Sequence, residues 1–79
     1  MKIQVLGTGC PKCKALESNA REAVSNLSSD AEVVKVDDMD DIIEMGVMVT
    51  PALVIDGDIK IVGKVASVTE IEALLQGIS

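Results

Sequence analysis

The chain has 79 residues, 48% of them apolar and 25% charged, with a formal net charge of −6. For that length one domain, residues 1–79, is expected, with a core just large enough to fold unaided and no second domain. No apolar run is long enough to cross a bilayer, no basic run offers a surface for phosphates, and Phe, Tyr and Trp are all missing, so neither a membrane nor nucleic acid is expected as a partner.

Ile3 and Val5 alternate with Gln4 in the opening Lys2-Ile3-Gln4-Val5-Leu6, which predicts a strand ending at Gly7-Thr8-Gly9. Because this strand begins almost at the first methionine, no secretory leader is expected ahead of it, and the cytoplasm is the expected location. A helix follows, with Pro11 at the first helical position, where its missing N–H is not needed. Cys13, Leu16, Ala20, Val24 and Leu27 form its apolar stripe. Lys14, Glu17, Arg21 and Glu22 lie on the wet side, with Glu17 and Arg21 one turn apart and able to pair.

Ser28-Ser29-Asp30 breaks that helix, and Glu32-Val33-Val34-Lys35-Val36 is the second strand. Asp37 or Asp38 then caps a short helix through Ile42, Ile43 and Met45 that stops at Gly46, its early acids matching the positive end of the helix dipole. The acidic run is a solvated helix start, since it lacks the ligand order of a calcium loop. Ala52–Ile55 and Ile59–Val62 flank Asp56-Gly57-Asp58, a strong hairpin signal. Ser67-Val68-Thr69-Glu70 is a capping box opening a last helix that buries Val68, Ile71, Leu74, Leu75 and Ile78.

The predicted order is β-α-β-α-β-β-α, an α/β fold. A right-handed crossover makes the first two strands parallel and the hairpin adds an antiparallel edge, giving a four-stranded mixed sheet flanked by helices. Without aromatics the core must be filled by Val, Ile, Leu, Met and Ala, so modest stability is expected.

Both cysteines lie in Cys10-Pro11-Lys12-Cys13. As a permanent staple the pair is mechanically poor, because so short a loop removes little entropy from the unfolded chain. The map makes Cys10 the cap of the first helix, where backbone N–H groups, the helix dipole and the positive charge of Lys12 and Lys14 all favour its thiolate. Cys13, one turn inside, faces the apolar stripe. This asymmetry divides the labour: Cys10 attacks a partner disulfide, and Cys13 then attacks Cys10, releasing the reduced partner and leaving a Cys10–Cys13 disulfide. The alternative is a carrier of copper or another soft metal on the same two thiolates. Pro11 and the extra helix before the hairpin argue against it, and a closed zinc site would need four ligands where this chain has two cysteines and no histidine.

With Gly9-Cys10-Pro11-Lys12-Cys13 after the first strand, Gly46 to Ala52 before the third and Gly63 to Ser67 before the last helix, the chain resembles the thioredoxin superfamily. It is most similar to that superfamily's small thioredoxin- and glutaredoxin-like members, the small redox-active disulfide proteins. The resemblance implies a thioredoxin-like fold and a cytoplasmic protein-disulfide reductase, a monomeric electron carrier with the Cys10–Cys13 disulfide in place of a cofactor and no metal. Its implied partners are protein disulfides and a thioredoxin-type reductase that recharges it. It implies a cis Thr50–Pro51 bond, with Thr50 pairing to a bound partner's backbone, Pro51 shaping the groove, and Pro11 and Lys12 in support. Thioredoxins carry a Trp where this chain has Gly9 and a buried acid where it has Gln4, so no carboxylate relay to Cys13 is expected. Lys64 and Val65 stand where glutaredoxins use small residues to hold glutathione, so glutathione is not the expected reductant.

Overall fold

A computed structural model describes residues 2–9, 11–28 and 30–77. Seven elements follow in the expected order: β1 (Lys2–Leu6), α1 (Pro11–Asn26), β2 (Glu32–Val36), α2 (Met39–Glu44), β3 (Ala52–Ile55), β4 (Asp58–Val62) and α3 (Val68–Leu75). The strands form one sheet in the order β2-β1-β3-β4. β1 runs parallel to β2 and antiparallel to β3, and the β3–β4 hairpin supplies the antiparallel edge.

Each turn of the chain has a local cause. Asp56 and Gly57 both have positive φ, +51° and +87°, as a two-residue hairpin turn matched to the twist of its strands demands. Asp56 also ties the turn to the neighbouring strand, its N–H donating to the Lys2 carbonyl and its carboxylate accepting from the Lys2 N–H, each at 2.8 Å. Asp38, not Asp37, caps α2, accepting from the Asp40 N–H at 2.9 Å, and Gly46 ends it with φ +83°. The capping box of α3 is complete, with Ser67 Oγ accepting from the Glu70 N–H and the Glu70 carboxylate accepting from the Ser67 N–H. Glu17 and Arg21 pair at 2.8 Å.

Alternation along the strands builds two clusters on opposite faces of the sheet. On the larger, Ile3, Val5, Leu53, Ile55 and Ile61 meet Leu16, Ala20 and Ala23 of α1 and Ile71 of α3. On the smaller, Leu6, Ala52 and Val54 meet Ile42 of α2 and Val47 after it. Full burial of one such aliphatic side chain contributes roughly 1.5–3 kcal/mol.

The expected helix faces need correction in detail. Ala23 is fully buried in α1, while Val24 and Leu27, expected in the stripe, are half-buried. α1 lies close on the sheet, and the line nearest the strands takes the smaller side chain. Val68, Leu74 and Leu75 of α3 are half-buried around a buried Ile71. Methionine does not fill the core: among the described residues Met45 only packs at the edge of the small cluster, and Met39 and Met48 are exposed. A helix as short as α2 covers only part of its face, which leaves Ile59 and Val62 of the edge strand exposed. Ser29 and Ile78, expected in the helix break and on α3, lie outside the described residues.

Candidate active site

The strand register brings the distant motifs to one end of the sheet. Leu6, the last residue of β1, pairs with Val36 of β2 on one side and with Ala52 of β3 on the other. The chain leaving β1 towards the cysteine motif therefore runs beside the chain entering β3 from Thr50-Pro51. Gly7 continues the ladder by one bond, its N–H donating to the Val36 carbonyl at 2.9 Å.

α1 begins at Pro11, as expected, and Pro11 and Lys12 are exposed. Its first turn carries no acid to offset the positive end of its dipole, equivalent to roughly half an elementary charge. Cys13 is disulfide-bonded and buried, 5% exposed, on the same face as Leu16 and Ala20. The chain holds one other cysteine, Cys10, which lies outside the described residues together with its expected capping geometry.

Behind Cys13 stands Gly7. A β-carbon built on Gly7 would lie 2.7 Å from the Cys13 Cβ and in direct collision with its Sγ. The glycine had been legible only as the end of a strand, and the close approach has no sequence signal beyond a glycine that no turn requires. It is not among the glycines with positive φ.

The Thr50–Pro51 peptide is cis. Pro51 is fully buried at the mouth of β3, and its carbonyl accepts from the Gly63 N–H at 2.8 Å. Thr50 is half-buried, and its main chain makes no backbone hydrogen bond among the described residues. Met48 and Val49, just before it, are 86% and 53% exposed, an apolar approach to that backbone. On the far side of Gly63, Lys64 pairs with Glu70 at 2.8 Å. The Lys64 ammonium, and after it the Ser67 N–H, hold the Glu70 carboxyl below the usual carboxylate range. Among the described residues no three His, Cys, Asp or Glu side chains gather closely enough to hold a metal ion, and no helix is long and apolar enough to cross a membrane.

The arrangement is that of a dithiol–disulfide centre: a bonded sulfur buried in the first turn of a helix, at the same end of the sheet as the bend that carries the cis Thr50–Pro51 peptide. Comparison with known proteins agrees. Residues 1–76 match the family model described as thioredoxin domain. A thioredoxin of Methanothermobacter thermautotrophicus is 53% identical over 75 residues, covering 95% of this chain and 97% of that protein. A thioredoxin of Methanocaldococcus jannaschii is 46% identical over 74 residues, covering 94% of this chain and 85% of that protein. With the fold, the bonded Cys13 and these relatives in agreement, the chain belongs to the thioredoxin family and is a thiol–disulfide oxidoreductase.

Proposed function

We propose that Cys10 is the attacking thiol and Cys13 the resolving one in the reduction of protein disulfides. The observation that carries the division is the burial of Cys13 within the bonded pair: a sulfur behind the helix's first turn can reach Cys10 but not an incoming protein. Cys10 thiolate attacks one sulfur of the partner disulfide, forming a mixed disulfide and expelling the partner's other sulfur as a thiolate. Cys13, losing its proton to water or a backbone group, attacks Cys10 and expels the second partner thiolate. Two electrons have passed to the partner, and the Cys10–Cys13 disulfide remains to be reduced.

Thr50 docks the partner by main-chain hydrogen bonds, Pro51 shapes the groove wall, and Pro11 and Lys12 fix the start of the helix and its charge. The Thr50 backbone, open among the described residues and approached across Met48 and Val49, supports this role. A thioredoxin-type reductase recharges the disulfide through the same groove. Residues 1–79 act as one domain and a monomer, and a dithiol carrier of this kind belongs in the reducing cytoplasm. The test is reduction of insulin disulfides with a thioredoxin reductase as electron source. Turnover that disappears in Cys10→Ser supports the assignment, and turnover retained in that variant overturns it.

A further inference from the structure

We propose that Gly7 is a positioning residue for Cys13, and that the space left by its missing side chain sets how readily the Cys10–Cys13 disulfide is reduced. The inference rests on the assignment of Cys13 as the resolving cysteine.

Gly7 is buried, and because it is not among the positive-φ glycines its backbone conformation is one that any residue adopts. Space is therefore the reason for glycine here. A β-carbon at this position meets the Cys13 Cβ at 2.7 Å and collides with the Sγ. Neither backbone can yield cheaply. Gly7 is held by its bond to the Val36 carbonyl, directly after Leu6, which is paired on both sides and wholly buried. Cys13 is carried on a helix whose Leu16, Ala20 and Ala23 are packed against the sheet with no exposure.

Crowding of the Cys13 Cβ is common to both redox states, whereas the sulfur can move by rotation of the side chain, and the two states differ in that freedom. In the disulfide the sulfur is tied to its partner and must stay against Gly7. In the dithiol it can rotate away. A methyl group at position 7 therefore penalises the disulfide more than the dithiol. In the exchange with dithiothreitol, two electrons and two protons pass to the protein disulfide, giving two cysteine thiols and cyclic oxidised dithiothreitol. The variant shifts that equilibrium towards the protein dithiol.

The experiment equilibrates the wild-type protein and Gly7→Ala with graded ratios of reduced to oxidised dithiothreitol and counts free thiols by alkylation and mass. Gly46→Ala serves as the control, since Gly46 has positive φ but open space around it, so its substitution strains the fold without touching Cys13. Expected is a shift of about tenfold or more in the equilibrium constant for Gly7→Ala, in line with the cost of overpacking a core site, and none for Gly46→Ala. An unchanged constant in Gly7→Ala, or an equal shift in both variants, overturns the proposal. Should Gly7→Ala fail to fold, Gly7→Ala/Cys13→Gly, which removes both crowded atoms of residue 13, is compared with Cys13→Gly by thermal unfolding. A double variant that folds supports crowding against the Cys13 side chain, and one that does not fold while Cys13→Gly does overturns it. Neither measurement uses a protein substrate, so a wrong assignment of the resolving cysteine shows itself separately, in the trapping of adducts.

Discussion

The N–H of Gly63 donates to the carbonyl of Pro51 at 2.8 Å, which ties the end of β4 to the mouth of β3. Gly63 has φ +74°, and a β-carbon there would stand 3.1 Å from Cγ1 of Val49. Gly63→Ala is expected to cost about 1–2 kcal/mol of stability through the left-handed backbone. It should also push Val49 and so raise KM for a protein disulfide, with the rate of reduction of the active disulfide by dithiothreitol unchanged. Insulin reduction beside a urea melt checks both, and lost stability with unaltered KM would separate this loop from docking.

Cys13→Ser should accumulate mixed disulfides through Cys10, because attack survives while resolution is lost. Cys10→Ser should trap nothing, its remaining thiol being buried beside Gly7. Mass spectrometry of adducts formed with a peptide disulfide reads the outcome directly, and adducts through Cys13 would reverse the roles.

Glutathione with glutathione reductase should reduce the Cys10–Cys13 disulfide more slowly than a thioredoxin-reductase system does. An incoming glutathione ammonium group needs an acid near the start of α3, and the one there, Glu70, is already engaged by Lys64 at 2.8 Å and by the Ser67 N–H. Lys64→Ala releases that carboxylate and should quicken the glutathione reaction. Faster reduction of the wild-type protein by glutathione would refute the argument.

Glu70 also makes part of the stability pH-dependent. Its carboxyl lies below the usual value of 4.5, first because of Lys64 and then of Ser67. A depressed acid contributes stability that is fully present above its unfolded value and is lost as pH falls through the folded one. The gap in Tm between the wild-type protein and Glu70→Gln should therefore be steady at neutral pH and close as pH drops below 4.5, and it should shrink with added salt because the pair is exposed. Ser67→Ala, which removes the other half of the capping box, should cost about 0.5–2 kcal/mol at neutral pH.

Features decided within a few residues were the legible ones. Asp56-Gly57 can hardly be anything but a tight turn, and Ser67 with Glu70 announces a helix start, so both elements fall where the residues put them. The cysteine motif was legible from its place at a helix start and Thr50-Pro51 from the resemblance, and the pairing of Leu6 with Ala52 explains why they share one end of the sheet. What was not legible depends on distances between elements. Whether Ala23 or Val24 meets the sheet is set by how closely α1 lies on it. Whether Met39 and Ile43 are covered depends on what stands opposite a short helix, and both are exposed. The contact between Gly7 and Cys13 is of the same kind, a matter of room and not of residue preference.

The unequal faces of the sheet give the molecule a firm side and a soft one. A single side chain of α2, Ile42, is fully buried, and a helix of six residues has little stability of its own. Segments of this kind open locally at a fraction of the global unfolding free energy. The α2 amides are therefore the ones to exchange hydrogen with solvent early, while β1 and β3, gripped from both sides, exchange only when the whole chain unfolds. Val47, the last anchor of the small cluster, leads straight into Met48, Val49 and Thr50. The segment proposed to meet a partner thus adjoins the soft side and the Cys13 sulfur the firm one, so under that proposal a change of contour at the contact surface would leave the geometry of exchange undisturbed.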